Sequence, residues 1–153
     1  MDEIGVILEL FDRAWHGPAW HGPSLREALE GVSAAEAAAR PISGAHGIGE
    51  IAAHVMVWQD AVRHWIAGGE FTVTPELDFP AAPEDEGAWA RTLARMQESH
   101  DALRAAIAGF PAERLTEPRG EARVPWFVIL HGVAHHGLYH AGQIALLRKA
   151  ARA

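Results

Sequence analysis

The chain has 153 residues, 49% of them hydrophobic and 22% charged, with ten histidines and no cysteine. Such a composition suits a single domain over residues 1–153 with one sizeable core, and it excludes disorder, disulfides and a cysteine nucleophile. A formal net charge of -7 argues against a broad phosphate-binding face, so no nucleic-acid partner is expected.

The opening MDEIGVILELFDRAW carries acids where a secretory signal would be positive, and Asp2 and Glu3 instead complement the dipole of a first helix. Gly17-Pro18 stops that helix. A connector rich in Gly, Pro, Trp and His, GPAWHGPSLREALEG, then leads through the helical turn SAAEAAAR to Pro41. The second helix starts near His46 and ends at Gly68-Gly69. In the loop that follows, with Pro75, Pro80 and Pro83, the piece EFTVTPELDF alternates like a strand but is too short and proline-broken to build a sheet. Glu84, Asp85 and Glu86 acidify the first turn of a third helix, which ends around Gly109. Pro125 suits the first position of a fourth helix, and the basic tail Arg148, Lys149, Arg152 suits its end. No segment holds the ~20 apolar residues a spanning helix needs. No membrane partner is expected, and the cytoplasm is the expected compartment.

Projection at about 100° per residue gives every helix one apolar stripe. Helix one aligns Ile4, Ile7, Leu8, Phe11 and Trp15; helix three aligns Trp89, Leu93, Met96, His100, Leu103 and Ile107. Helix two aligns Ile51, His54, Val55, Trp58, Val62 and Trp65, and helix four aligns Ile129, Val133, His136, His140, Ile144 and Leu147. The expected fold is all-α, a four-helix bundle with a long connector between helices one and two. Leu130, Ala134, Leu138, Ala141 and Ala145 form a second apolar side on helix four, which suggests a homodimer.

The stretch HGVAHHGLYHAGQI, His131 to Ile144, contains two overlapping i, i+4 pairs. His136 and His140 fall on the core stripe, whereas His131 and His135 lie well over ~100° around the helix. Burying an imidazole costs free energy unless its nitrogens find partners, and two of them one turn apart can share a divalent ion. His54, inward on another helix, would complete a three-histidine tripod with an open coordination position. A core-facing histidine also satisfies itself on a carbonyl or carboxylate, so spacing alone leaves a ligand set and a histidine network both open. Gly137 occupies the place of the glutamate in an HExxH zinc-protease motif, which disfavours peptide hydrolysis. His100 has no second inward histidine a turn away and reads as a pocket or satisfied core residue. Trp15, Trp20 and His21, with Trp58, are the other candidates for the lining of the site; a Trp- and Pro-rich connector is also commonly a packed loop.

The segment HHGLYHAGQIALLRK resembles the C-terminal motif of the DinB-like superfamily, HxxxHxGQI following a helix that bears another histidine. FDRAWHGPAWHGPSLREALEGVSAAEAAARPISGAHGIGEIAAHVMVWQD is similar to that family's first helix, connector and second helix. The resemblance places the family's three metal ligands on His54, His136 and His140. Many members carry Asp directly after the first histidine of the pair, where Gly137 stands here, so a role for that carboxylate does not transfer. The family is linked to transfer or isomerisation with low-molecular-weight thiols such as bacillithiol or mycothiol, and to metal-dependent hydrolysis. The resemblance therefore implies one divalent transition metal, zinc or nickel foremost, a small-molecule substrate, a thiol as possible cosubstrate, and a homodimer. Two classes of function stay open: a metal-dependent thiol transferase or hydrolase, and a non-catalytic metal-binding or ligand-binding helical bundle.

Overall fold

Asp2 starts the first helix by accepting the Gly5 N–H at 2.8 Å, so α1 runs Glu3–His16 and ends at Gly17. Within the connector, Ser24 with Glu27 and Ser33 with Glu36 form two capping boxes, and each starts a short helix, α2 (Leu25–Leu29) and α3 (Ala34–Ala38). Next come α4 (Ile48–Ile66) and α5 (Pro75–Asp78), the latter with proline at its first position. Asp85 caps α6 (Glu86–Ala108) through the Ala88 N–H. A 3-10 turn at Ala112–Arg114 and an antiparallel hairpin of β1 (Pro118–Arg119) with β2 (Val124–Pro125) lead into α7 (Trp126–Ala150). This computed structural model describes residues 2–152, and over them the protein is all-α apart from that hairpin. No helix among the described residues is long and apolar enough to cross a membrane.

The expected helix ends hold to within about two residues, with three additions. The connector contains α2, whose signal was the S-x-x-E capping box at Ser24 and Glu27. The proline loop contains α5, and Pro125 precedes α7 rather than opening it. The strand pairing lies at Pro118–Arg119 and Val124–Pro125, not in EFTVTPELDF.

Helix α1 packs on α6 and α7, and α4 packs on the same two helices. The core falls into two apolar clusters. One gathers Trp15, Leu25, Ile51, Val55, Trp89, Met96, Ile144 and Leu147; the other gathers Ile7, Phe11, Val62, Leu103, Ile107, Leu130, Val133 and Ala134. In each of α4, α6 and α7 the passage from one cluster to the other is marked by buried polar side chains: His54 and Gln59, Ser99 and His100, and His140. A polar layer thus crosses the molecule at mid-height, and the histidine residues belong to it.

The second apolar side of α7 is not free. Leu130, Ala134 and Ala141 are fully buried within the chain, and Leu138 and Ala145 are half-buried, because α1 and α2 both pack on α7. The face on which the homodimer expectation rested is therefore spent on the internal core.

Candidate metal centre

His54 comes from the first half of α4, and His136 and His140 from adjacent turns of α7. The Nε2 atom of His136 lies 3.0 Å from His54 Nε2 and 3.0 Å from His140 Nε2. His54 and His140 are buried and His136 is half-buried. The outer nitrogens are held from behind. His54 Nδ1 sits 2.7 Å from the Asp78 carbonyl and 3.0 Å from Asp78 Oδ1, and His140 Nδ1 sits 2.7 Å from Gln143 Oε1. Because those partners are acceptors, both Nδ1 atoms carry the proton, and the Nε2 lone pairs of His54 and His140 face inward. Burial lowers His136 to about 3 and His140 to about 4, from an ordinary 6.5; the neighbouring imidazoles push His136 further in the same direction. Both rings are neutral at pH 7.

The donor set fits a divalent transition ion. The three ligand atoms lie within 4.8 Å of one another. A tetrahedral ion with Zn–N bonds of about 2.1 Å separates its nitrogens by about 3.4 Å, so His136 needs to move only a few tenths of an ångström from each of the two nitrogens it faces at 3.0 Å. A single proton on His136 Nε2 can bridge to one neighbour and not to both, whereas a cation satisfies all three lone pairs. The backing of His54 by a backbone carbonyl and of His140 by a side-chain amide is a usual way that ligand imidazoles are oriented.

Around this point the loop after α5 builds a wall. Phe79 is sandwiched between His46, at 3.7 Å between ring centroids, and His54, at 4.0 Å. The Trp58 Nε1–H donates to Asp78 Oδ1 at 2.8 Å. This loop can lie directly on α4 because residue 49 is glycine: a Cβ there would stand 2.6 Å from Pro83 Cδ. Two cavities reach the histidines. One, about 640 Å³, has His46, Phe79, Tyr139, Gln143 and all three imidazoles on its walls. The other, about 420 Å³, touches His54 and His136 and is walled by Trp58, Trp65, Val62, Ile129 and Val133.

The five residues expected in the pocket separate. Trp58 lines the smaller cavity. Trp15 does not reach the site; it is 4% exposed, donates from Nε1 to Gln97, and stacks on His100 across the contact of α1 with α6. His100 is 0% exposed, lies between the rings of Phe11 and Trp15, and faces α1 instead of the three histidines. Trp20, 96% exposed, and the exposed His21 stack edge-on with each other at the surface. The stretch from Gly17 to Gly31 therefore stays clear of the three histidines, because α2 turns back onto α1 and α7 at once, whereas the last residues before α4, among them Ile42, Ala45 and His46, line the larger cavity. His131 pairs with Glu3 at 2.8 Å and His135 is exposed. Gly137 faces α1, where a Cβ would lie 3.9 Å from Ala14 Cβ, so a carboxylate there would not point at the imidazoles.

Asp78, Phe79, His46 and Tyr139 were not foreseen. Asp78 and Phe79 meet His54 only through tertiary folding, and no local spacing signals it. Gln143 did carry a signal, since it stands one turn after His140 in the HAGQI stretch. Comparison with curated proteins and with solved structures gives no match. Residues 19–144 match the sequence profile of the DinB superfamily, a span that contains the connector, all three histidines and Gln143. By that match, over most of its length, the chain belongs to the DinB superfamily.

Proposed function

We propose that the protein is a four-helix-bundle, metal-dependent enzyme of the cytoplasm that acts on a small molecule by thiol transfer or hydrolysis, with His54, His136 and His140 as ligands. The observation that carries this reading is the convergence of three Nε2 atoms at a point that two cavities reach. A bound zinc or nickel ion would supply Lewis acidity toward a substrate oxygen or sulfur. The protein's own residues would then position. Asp78 and Gln143 fix the tautomers of His54 and His140, the neutral imidazoles leave the ion its full charge, and the Tyr139 hydroxyl, which accepts from Gln143 Nε2 at 3.1 Å, lies on the wall of the larger cavity. Membership of the family supports a thiol cosubstrate such as bacillithiol or mycothiol. Among the described residues the converging group has three members and no fourth protein ligand, which favours the open site over a closed structural one.

The test has two stages. Elemental analysis, with zinc or nickel restored to stripped protein, is expected to give about one ion per chain. A panel of electrophilic substrates is then run with and without bacillithiol, mycothiol or glutathione. Loaded protein inert across the panel would leave the non-catalytic reading.

A further inference from the structure

The smaller cavity is set apart from the larger one by its two indole walls. Its walls are the indoles of Trp58 and Trp65, 6.2 Å apart and nearly perpendicular, with Val62, Ile129 and Val133. Both indole N–H groups are already committed: Trp58 donates to Asp78 Oδ1, and Trp65 donates to the Phe71 carbonyl at 2.9 Å. The Arg119 guanidinium, 3.9 Å over the Trp65 ring, also holds that indole in place. The Asp78 backbone carbonyl takes His54 Nδ1–H, and Asp78 Oδ1 takes the Trp58 N–H. The polar groups that line the cavity are thus Asp78, His54 and His136, gathered at the edge nearest the three histidines. A phosphate or carboxylate entering here would lose its water beside the Asp78 carboxylate with no indole N–H free to replace it, whereas an aryl or branched alkyl group would find flat, fixed, apolar walls.

We propose that this cavity is a specificity cleft for an uncharged apolar group, aryl or branched alkyl, on the substrate whose reacting end meets His54 and His136. The proposal rests on reading the three-histidine centre as a site of small-molecule chemistry. It assigns the apolar end of that substrate to the Trp58 and Trp65 side, and leaves the cavity of Tyr139 and Gln143 to the rest of the reacting molecules. Gly132 makes the cleft testable without touching a ligand. It lines the cavity, and a Cβ added to it would meet nothing within 4 Å, so a large side chain can enter the space while the helix gains a better former than glycine.

The experiment uses the full chain, metal-stripped and zinc-loaded, with 4-fluorotoluene as probe, followed by fluorine NMR and by the indole N–H signals of Trp58 and Trp65. Wild type is expected to bind saturably and to shift both indoles. Gly132→Ala should bind as wild type does, whereas Gly132→Phe and, filling the same space from within, Ile129→Trp should each weaken binding at least tenfold. 4-Fluorobenzoate should bind at least tenfold more weakly than 4-fluorotoluene. Unmoved indoles, unchanged binding in both obstructing variants, or equal binding of the benzoate would overturn the cleft. Zinc stoichiometry on the same samples separates the two readings: zinc bound with unmoved indoles defeats the cleft alone, while fluorotoluene bound without zinc defeats the metal centre and retains the cleft.

Discussion

At the scale of single residues, direction on one helix turn separates the histidines that converge from those that do not. His135 and His136 are neighbours, yet His135 is exposed while His136 Nε2 lies 3.0 Å from two other imidazole nitrogens. His136→Ala and His140→Ala are expected to lose stoichiometric zinc, and His135→Ala and His131→Ala to keep it, as read by elemental analysis. Asp78→Asn should keep the fold and weaken zinc affinity by no more than about 10-fold, the low end of the usual effect of disturbing the groups behind a ligand histidine, because the Asp78 carbonyl that accepts from His54 Nδ1 is retained. His100 gives a different test. Burial lowers it to about 4 from 6.5, so as pH falls between those values the unfolded chain binds a proton that the folded chain refuses. Stability present above pH 6.5 is lost across that window, at up to about 1.4 kcal/mol per pH unit for each such group. His136 and His140 act in the same sense in stripped protein. His100→Phe should therefore reduce the acid slope of thermal stability without abolishing it. Neither nitrogen of His100 has a hydrogen-bond partner among the described residues, so the same variant should not lower Tm at pH 7, where a polar role for the ring would predict a loss.

At the scale of elements, α7 is buried on two sides, and that decides what its small residues are for. Ala141 is 1% exposed, so Ala141→Leu overpacks the contact and should cost about 1–3 kcal/mol, seen as a lower denaturant midpoint at unchanged oligomeric state. A dimer face at that position would instead change the oligomer. Gly137→Ala should be neutral or gain up to about 1 kcal/mol, since the added methyl meets Ala14 at ordinary contact distance. The long helices were legible because caps and stripes are local: Asp2, Asp85 and the spacing from Ile4 to Trp15 specify α1 and the start of α6 without reference to the rest of the chain. The same periodicity picked His54, His136 and His140 as inward. The lack of a second inward histidine a turn away set His100 apart as a pocket or core residue, but the stripe could not send Trp15 toward α6, because it says which side is buried and not which helix covers it. Asp78 and Phe79 were illegible for a related reason: their partner is His54, on α4, brought to them by tertiary folding of a proline-rich loop.

At the scale of the whole molecule, the polar layer lies between two apolar clusters that each draw on α1, α4, α6 and α7. Each fully buried Leu, Ile or Phe contributes roughly 1.5–3 kcal/mol, and those clusters are complete without any group bound at the histidines. Metal-stripped protein is therefore expected to remain helical by circular dichroism and to unfold cooperatively. Zinc should nonetheless raise Tm, because it binds the folded arrangement of three rings that the unfolded chain does not present. At a free zinc concentration about a hundredfold above Kd the gain is about 2.7 kcal/mol, and at about 2–4 °C per kcal/mol for a chain of this size that is a rise of about 5–11 °C. His136→Ala should erase the rise while leaving the stripped Tm within a few degrees of wild type. A stripped protein that is unfolded until zinc is added would reverse the assignment, since the ion would then be stapling α4 to α7 and the chemistry proposed for the centre would lose its rigid scaffold.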